Sequence, residues 1–439
     1  MVAMAEINIA VIGAGPKAAA IAAKADVLNR INKSHFKVTI FESVAPGANW
    51  AGKNGYTDGL ARLCTPAERD LGFPYDAGVF DQKVAAMMYS DYSWGAYLIA
   101  NGHRDDRLRL HNWINRGRLP PTHNEYSSYI GWAISKSGAK LEIGEVTKLE
   151  SSSNMWRVHR RGENGGMRTQ GMFDGVVVTG PGSPNKRLII DGVSGKITDG
   201  RAFWQDPESF LAQVADSNES VIILGAGGTA AAIAARALRA ANSNPITIIG
   251  DQAALFTRAD AFFENQIFTD DQIWDRLDAE TRKSFADRLN RGVVWSTISD
   301  ELARSPRVRF EPGRGKKIEV LTGENGDELR VLYERSSQTF SAYASLVIDA
   351  SGFDPWWFVS LLPATLQAQL CALDDTEQKG KRTAAAARMT KHLELFDAKP
   401  GPIHAPVLSQ SIGPGYSSLM VLGAMSDLIL DRYNHPKST

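Results

Sequence analysis

The chain has 439 residues, 43% of them apolar, and its 49 Lys and Arg balance its 49 Asp and Glu. That length accommodates two or three domains, and zero net charge gives no electrostatic pull toward nucleic acid or an anionic membrane surface. Two cysteines, Cys64 and Cys371, stand far apart and outside any C-x-x-C; this excludes a disulfide framework, a Cys-rich metal site and a redox-active disulfide, and fits a reducing cytoplasm.

The first element is an apolar strand from Ile9 that runs into Gly13-Ala14-Gly15-Pro16-Lys17-Ala18, the G-x-G-x-x-G/A spacing of a dinucleotide fold. Gly13 allows a tight turn, and Gly15 lets the backbone approach a pyrophosphate. Ala18 lets the next helix pack closely on the sheet, so that its N-terminus faces the phosphates. The segment ahead of it, MVAMAEIN, carries an acid and no basic cluster, unlike a secretory leader. No other run reaches the ~20 apolar residues a membrane span needs. A second strand over 37–41 ends at Glu42, whose carboxylate can bond both hydroxyls of an adenosine ribose.

Residues 46–70 form a glycine-rich polar loop leaving the carboxyl end of the sheet, where ligands of open α/β folds sit. Its Trp50 and Tyr56 suit the lining of a flat ring or ordinary packing. A helical pattern over 81–102 and a second helix opened by Pro120-Pro121-Thr122 read as a cover over the cofactor. Strands follow over 140–143, 155–159 and 172–179. The last reads as the return strand of the first domain, and 192–210 as a connecting segment.

The device then repeats. A strand over 221–224 enters Gly225-Ala226-Gly227-Gly228-Thr229-Ala230, an alanine-rich helix and another strand over 246–249. Two units imply two dinucleotides, FAD in the first and a nicotinamide in the second. Asp251 disfavours a 2′-phosphate whereas Arg258 could pair one, so NADPH and NADH are both open. Residues 260–271, DAFFENQIFTDD, read as an aromatic-rich loop in which Asn265 and Gln266 could orient a polar ligand in a dry pocket. A buried strand over 346–350 reads as the return to the first domain. A turn-rich stretch over 413–418 precedes a helix over 419–431, whose N-terminus can face the polar edge of a flavin.

The expected fold is therefore α/β, with two dinucleotide-binding (Rossmann-like) domains and a small helical substrate region. The expected division is an FAD-binding first part over 1–205 with a helical cover at about 65–137, a nicotinamide-binding domain over 206–338, and an FAD-binding return part over 339–439.

Several longer strings go further: GANW at 47–50, YTDG at 56–59, GFPY at 72–75, YSWGAYLIA at 92–100, PTHNEYSSYIGW at 121–132, FTRADAFFENQIF at 256–268, RGVVWST at 291–297 and GPGYSSL at 413–419. On these the chain resembles the flavin-dependent N-hydroxylating monooxygenases of siderophore biosynthesis, and among them the mycobactin-type lysine N6-hydroxylases. The resemblance implies a small-molecule amine substrate, FAD, NADPH or NADH, and O2 as co-substrate. The implied chemistry is attack of a neutral side-chain amine on a flavin C4a-hydroperoxide. It places Asn265 and Asn290 in the active site and Gln266, Ile267 and Phe268 against the substrate. It places Asn49, Trp50, Val146, Gly415, Ser417, Ser418 and Leu419 beside the flavin. The lysine with which ornithine hydroxylases grip the substrate carboxylate falls at Thr65 here, which disfavours ornithine and points to lysine or a lysine-like amine. A cytoplasmic homo-oligomer is the expected form.

Three other readings compete. A Baeyer–Villiger enzyme would carry a histidine in the linker DGRAFWQDPESF, which has none. A flavin disulfide reductase would need C-x-x-C. A nucleotide-sensing protein would bind FAD without oxidising NAD(P)H.

Overall fold

The computed structural model describes residues 6–434 except positions 53–54, 77, 103–108, 186–187, 216–217, 242, 258–260, 290–291, 324–325, 373 and 397–400. The first unit opens with β1 (Ile7–Ile12), α1 (Pro16–Arg30) and β2 (Phe36–Glu42). Strands β1 and β2 pair in parallel from Ile7↔Phe36 to Ile12↔Phe41. Pro16 sits at the first position of α1, where its missing N–H costs nothing. The alanines of α1 are fully buried, which lets the helix lie close to the sheet and to its neighbours.

The cover follows as α2 (Gln82–Tyr92), α3 (Trp94–Asn101), α4 (Leu110–Asn115) and α5 (His123–Lys136). The single helix expected over 81–102 is two helices. Ser93 caps α3 through Ala96 N–H, and the Asp70 carboxylate accepts from Trp94 N–H at 2.8 Å. Helix α5 starts on a capping box in which Thr122 and Glu125 satisfy each other's backbone donors at 2.7 and 3.3 Å.

Next come β3 (Lys140–Ile143), β4 (Glu145–Ser152), β5 (Met155–Arg161), β6 (Met167–Phe173) and β7 (Gly175–Val178). Strands β4–β6 form a separate antiparallel meander, and β7 pairs with β1 in parallel. The run expected as one strand over 172–179 is thus divided between β6 and β7.

The chain then crosses to a second sheet through β8 (Ile189–Asp191), β9 (Ile197–Asp199), α6 (Gly200–Gln205) and α7 (Pro207–Ala212). The second unit proper is β10 (Ser220–Leu224), α8 (Gly228–Leu238) and β11 (Ile246–Gly250), with β10 and β11 parallel. From it leave β12 (Phe256–Thr257), α9 (Phe262–Thr269), α10 (Asp271–Arg276), α11 (Ala279–Leu289), β13 (Val293–Val294) and α12 (Ser296–Ala303). The unit closes with β14 (Val308–Pro312), β15 (Arg314–Gly323), β16 (Gly326–Arg335) and β17 (Gln338–Asp349).

The strand expected over 346–350 to rejoin the first domain is the end of β17. It pairs in parallel with β10 from Val221↔Leu346 to Leu224↔Asp349 and so belongs to the second sheet. Strands β8 and β9 also lie there, on β15 and β17. The return to the first sheet is made later, after α13 (Ala364–Leu370) and α14 (Asp375–Ala387), by β18 (Glu394–Phe396) and β19 (Ile403–His404), which pairs with β7. The closing helix α15 (Leu422–Asn434) packs on α1.

The strand orders are β18-β19-β7-β1-β2-β3 in the first sheet and β14-β11-β10-β17-β16-β15-β8 in the second. Each sheet has its own buried cluster, one around Ile9, Val11 and Ile40 and another around Ile223, Ile233 and Ile248. Among the described residues no helix is long and apolar enough to cross a membrane.

Candidate nucleotide and substrate site

The first fingerprint turn is shaped for a phosphate group. Gly13 has φ +99°, a left-handed conformation that L side chains rarely adopt, and a Cβ there would run into the Thr179 hydroxyl. A Cβ built on Gly15 would meet no protein atom within 4 Å. A side chain at Gly15 would therefore start into open space above the N-terminus of α1.

Glu42 stands at the end of β2. Its carboxylate accepts from Ala14 N–H at 2.8 Å and Val44 N–H at 3.0 Å. A carboxylate has about four acceptor positions; these two backbone bonds and a third from the Ser43 hydroxyl at 3.2 Å fix it and leave capacity for a ribose hydroxyl. Val146 is buried at the start of β4, just after Gly144, whose N–H donates to the Glu42 carbonyl at 2.8 Å. Val146 thus follows closely on the backbone that meets the end of β2.

Asn49 and Trp50 lie in a single helical turn, 48–50, against α5. The Trp50 ring meets His123 edge-on at 4.9 Å and Tyr126 at 5.9 Å. His123 Nδ1 and the Tyr126 hydroxyl are buried and have no hydrogen-bond partner among the described residues. Burial holds His123 neutral at neutral pH, with its pKa lowered to about 4 despite the opposing pull of Asp58. Two orphaned buried polar atoms on side chains that contact one aromatic ring fit a polar, planar group such as a flavin. Tyr56 has a different place: its hydroxyl donates to the Gly182 carbonyl at 3.2 Å and its ring abuts Phe353 at 4.4 Å, bracing the crossing between the sheets.

The tail turn closes over the cradle. Lys17 donates from Nζ to the Ser417 carbonyl at 2.9 Å, and the Ser418 hydroxyl donates to the Gly415 carbonyl at 2.9 Å. Leu419 is half-buried next to the first hydrophobic core. A Cβ on Gly415 would crowd Val421 and approach the Phe268 carbonyl at 3.1 Å, so this turn lies directly on α9.

Residues 262–269 are helix α9 rather than the expected loop. Its Phe262 and Phe263 point outward, 69% and 80% exposed, while Phe268 is buried in the first core. Asn265, Gln266 and Ile267 lie between these extremes, half-buried. Tyr416 locks the next helix, donating to both Asp271 oxygens at 2.6 and 2.8 Å. Helices α9–α11 therefore leave the second unit and build a wall of the first one. Asn290 and Arg258 fall outside the described residues.

Thr65 is half-buried in the loop ahead of Arg69 and supplies no charge. The guanidinium of Arg69, four residues on, lies 2.8 Å from Met420 Sδ beside the tail turn. Sequence reasoning also missed Asp70. It is buried, accepts from Tyr75 hydroxyl at 2.5 Å and from Trp94 and Gly72 N–H, and burial raises its pKa to about 7. A carboxylate followed by a distant Ser-Trp helix start carries no local signal of this contact.

The second fingerprint repeats the first in outline. Gly225 has φ +119°, and its Cβ would strike the Ala350 carbonyl. Gly227 is the extended cap of α8, and Gly228, Thr229 and Ala230 form its first turn. Here the cradle is covered: a Cβ on Gly227 would touch Gly292 Cα at 3.6 Å, and one on Gly228 the Val293 carbonyl at 3.6 Å.

Comparison with known proteins adds the following. A family model described as L-lysine 6-monooxygenase/L-ornithine 5-monooxygenase matches residues 85–304. L-lysine N6-monooxygenase MbtG of Mycobacterium tuberculosis (strain ATCC 25618 / H37Rv) is 33% identical over 433 residues, 96% of this chain and 94% of the relative. MbtG of Mycolicibacterium paratuberculosis is 32% identical, over 96% and 95%. The structure of lysine monooxygenase NbtG from Nocardia farcinica, described as having an unprecedented NADPH domain conformation, superposes with a TM-score of 0.78 at 26% identity, over 96% of this chain and 99% of that one. Ornithine hydroxylase PvdA from Pseudomonas aeruginosa shares the fold, with a TM-score of 0.71 at 17% identity over 98% and 99%.

Proposed function

Because this chain belongs to the L-lysine 6-monooxygenase/L-ornithine 5-monooxygenase family and is a flavin-dependent N-hydroxylating monooxygenase, we propose that it converts L-lysine to N6-hydroxylysine with FAD, NADPH and O2. The observation that carries the substrate is the 33% identity to MbtG, spread over 96% of the chain. The product would serve siderophore biosynthesis.

FAD fits the first cradle. The N-terminus of α1 with Gly15 receives the pyrophosphate, Glu42 the ribose, and Trp50 with His123 and Tyr126 the ring. NADPH goes to the second unit at Gly225–Ala230. When bound, the flavin supplies hydride acceptance from NADPH and activation of O2. The chain's own residues do the rest. A lysine ε-amine has an unperturbed pKa near 10.4 and must be neutral to act as a nucleophile. A pocket walled by Phe268 and the tail turn penalises the cation and favours the free amine. Asn265 and Asn290 would orient that amine by neutral hydrogen bonds, without placing a counter-charge beside it. The same wall excludes water, which limits wasteful loss of activated oxygen as H2O2.

The test is a product panel. Wild-type protein is given lysine, ornithine and simple diamines with NADPH or NADH, and both hydroxylamine and H2O2 are quantified. Lysine should give mostly hydroxylamine and ornithine mostly H2O2. Hydroxylation of another amine in preference to lysine would overturn the substrate and keep the enzyme class.

A further inference from the structure

Lys17 is an unusual residue for its position. It occupies the first turn of α1, a turn with no acidic residue, so an ammonium stands at the positive end of a 15-residue helix. Cations are disfavoured there, because the unpaired N–H groups already carry partial positive charge. The side chain keeps some accessible surface, yet protein atoms crowd the ammonium, and its one hydrogen bond among the described residues is to the neutral Ser417 carbonyl at 2.9 Å.

Among the described residues no carboxylate is paired with this charge. On the elements around it, Glu42 is held by Ala14 and Val44 N–H, and Asp427 of α15 pairs with Lys24. Asp271 takes the Tyr416 hydroxyl, Asp70 takes Tyr75 and Trp94, and Arg69 adds a further positive charge beside Met420. Burial alone acts on the Lys17 ammonium, with no opposing attraction, and lowers its pKa to about 8.

A desolvated cation thus stands in the first turn of α1, two residues beyond the open Gly15 position, and among the described residues no anion pairs with it. We propose that Lys17 is the counter-charge of the anionic part of bound FAD, tying the cofactor's charge to the tail turn through Ser417. This rests on the FAD reading of the first unit. Binding of an anion must then raise the Lys17 pKa. The attraction is fully present below about pH 8 and is lost as pH rises through the raised, bound-state value.

The experiment is a titration of the full-length protein with FAD, followed by flavin fluorescence from about pH 6.5 to about pH 10. For wild type, affinity should be level at low pH and then fall up to about tenfold per pH unit above about pH 8. Lys17→Met should bind more weakly at neutral pH and show no such slope. Lys17→Arg should keep most of the affinity and also lose the slope, since guanidinium does not titrate in this range; it remains informative if Lys17→Met fails to fold.

Two further arms locate the anion. If it is the pyrophosphate, ADP binding should show the same slope and the same loss in Lys17→Met. If it is the reduced ring, ADP should be indifferent and the flavin midpoint potential of Lys17→Met should become more negative. A purely structural lysine would hold Ser417 in either protonation state and give no slope. Wild-type affinity independent of pH, or a slope retained in Lys17→Met, overturns the proposal. Failure of wild type to bind FAD at any pH overturns the cofactor assignment and this inference with it.

Discussion

The two fingerprint turns are close repeats in sequence, GAGPKA and GAGGTA, and they differ in what stands against them. Gly13 and Gly225 do the same work, each in the left-handed region and each too close to the next strand for a side chain. Gly15 faces no protein, whereas Gly227 and Gly228 face the backbone of Gly292 and Val293. The first turn is roofed by a remote tail through Lys17 and Ser417. The second is roofed by its own unit, by a segment that pairs with β12. Six local residues thus specify strand, turn and helix, while access to the turn is decided by chain hundreds of residues away or, in the second case, some sixty-five.

The contrast can be broken at its strongest point by Gly15→Val. The fold should survive, because the added Cβ meets no protein atom within 4 Å, while FAD affinity should fall by at least about 100-fold, equivalent to about 3 kcal/mol. Flavin absorbance per chain and a melting curve check both halves; full flavin content in the variant would remove the first turn from the FAD site.

The matching change, Gly227→Val, should lower kcat/KM for flavin reduction by NADPH at least about tenfold and leave FAD bound. Gly292→Ala sharpens this, since its Cβ would strike Gly227 Cα and force the covering segment to shift; stopped-flow reduction should show a changed NADPH KM at unchanged flavin content. Loss of FAD in either variant would mean that the two units have been assigned in the wrong order.

A smaller effect is expected where the two units meet. Asn265→Ala should leave flavin reduction intact, cut hydroxylamine yield by roughly 1–3 kcal/mol in transfer and raise H2O2 by the same turnover. Parallel product assays measure it; proportional loss of both products would place Asn265 in reduction instead.

The smallest effect concerns the cover. Asp70 has its folded-state pKa raised to about 7 by burial, so between the ordinary value near 4 and 7 the folded protein holds a proton that the unfolded chain has released. Stability from this group therefore declines as pH rises across that window. Asp70→Asn cannot ionise, so its Tm relative to wild type should rise steadily over the same interval, and a constant difference would refute the raised pKa.

Both βαβ units were legible because each is written locally, as a run of branched apolar residues, glycine turn and small-residue helix. Other features depended on partners out of view. Nothing in SLVID says which parallel neighbour it takes, and β10 takes it. Helix α9 hid behind Phe262 and Phe263, whose exposure gives FFENQIF no apolar stripe. Strand β4 was missed because a bulge between Val146 and Lys148 puts its buried residues, Val146 and Leu149, three apart instead of two. The break at Ser93 is helped by Asp70, 24 residues away in sequence. Within the site, the cradle glycines, Lys17 and Glu42 could be read from spacing. His123, Tyr126 and Asp271 could not, since each acts through a neighbour brought by folding.

Helices α9–α11 have one more implication. They are spliced into the second unit, yet Phe268 belongs to the first core and Phe285 and Leu289 lean on it. The molecule is therefore cross-threaded, and its two halves are not separable modules. Excising the segment between β10 and β17 would strip the first half of a buried phenylalanine and leave the second half carrying Trp274, 1% exposed in the whole protein, without the Ser411 carbonyl that its indole N–H meets. The chain should melt as a single cooperative body, and its lineage could exchange one nucleotide half for another only by moving the substrate wall with it.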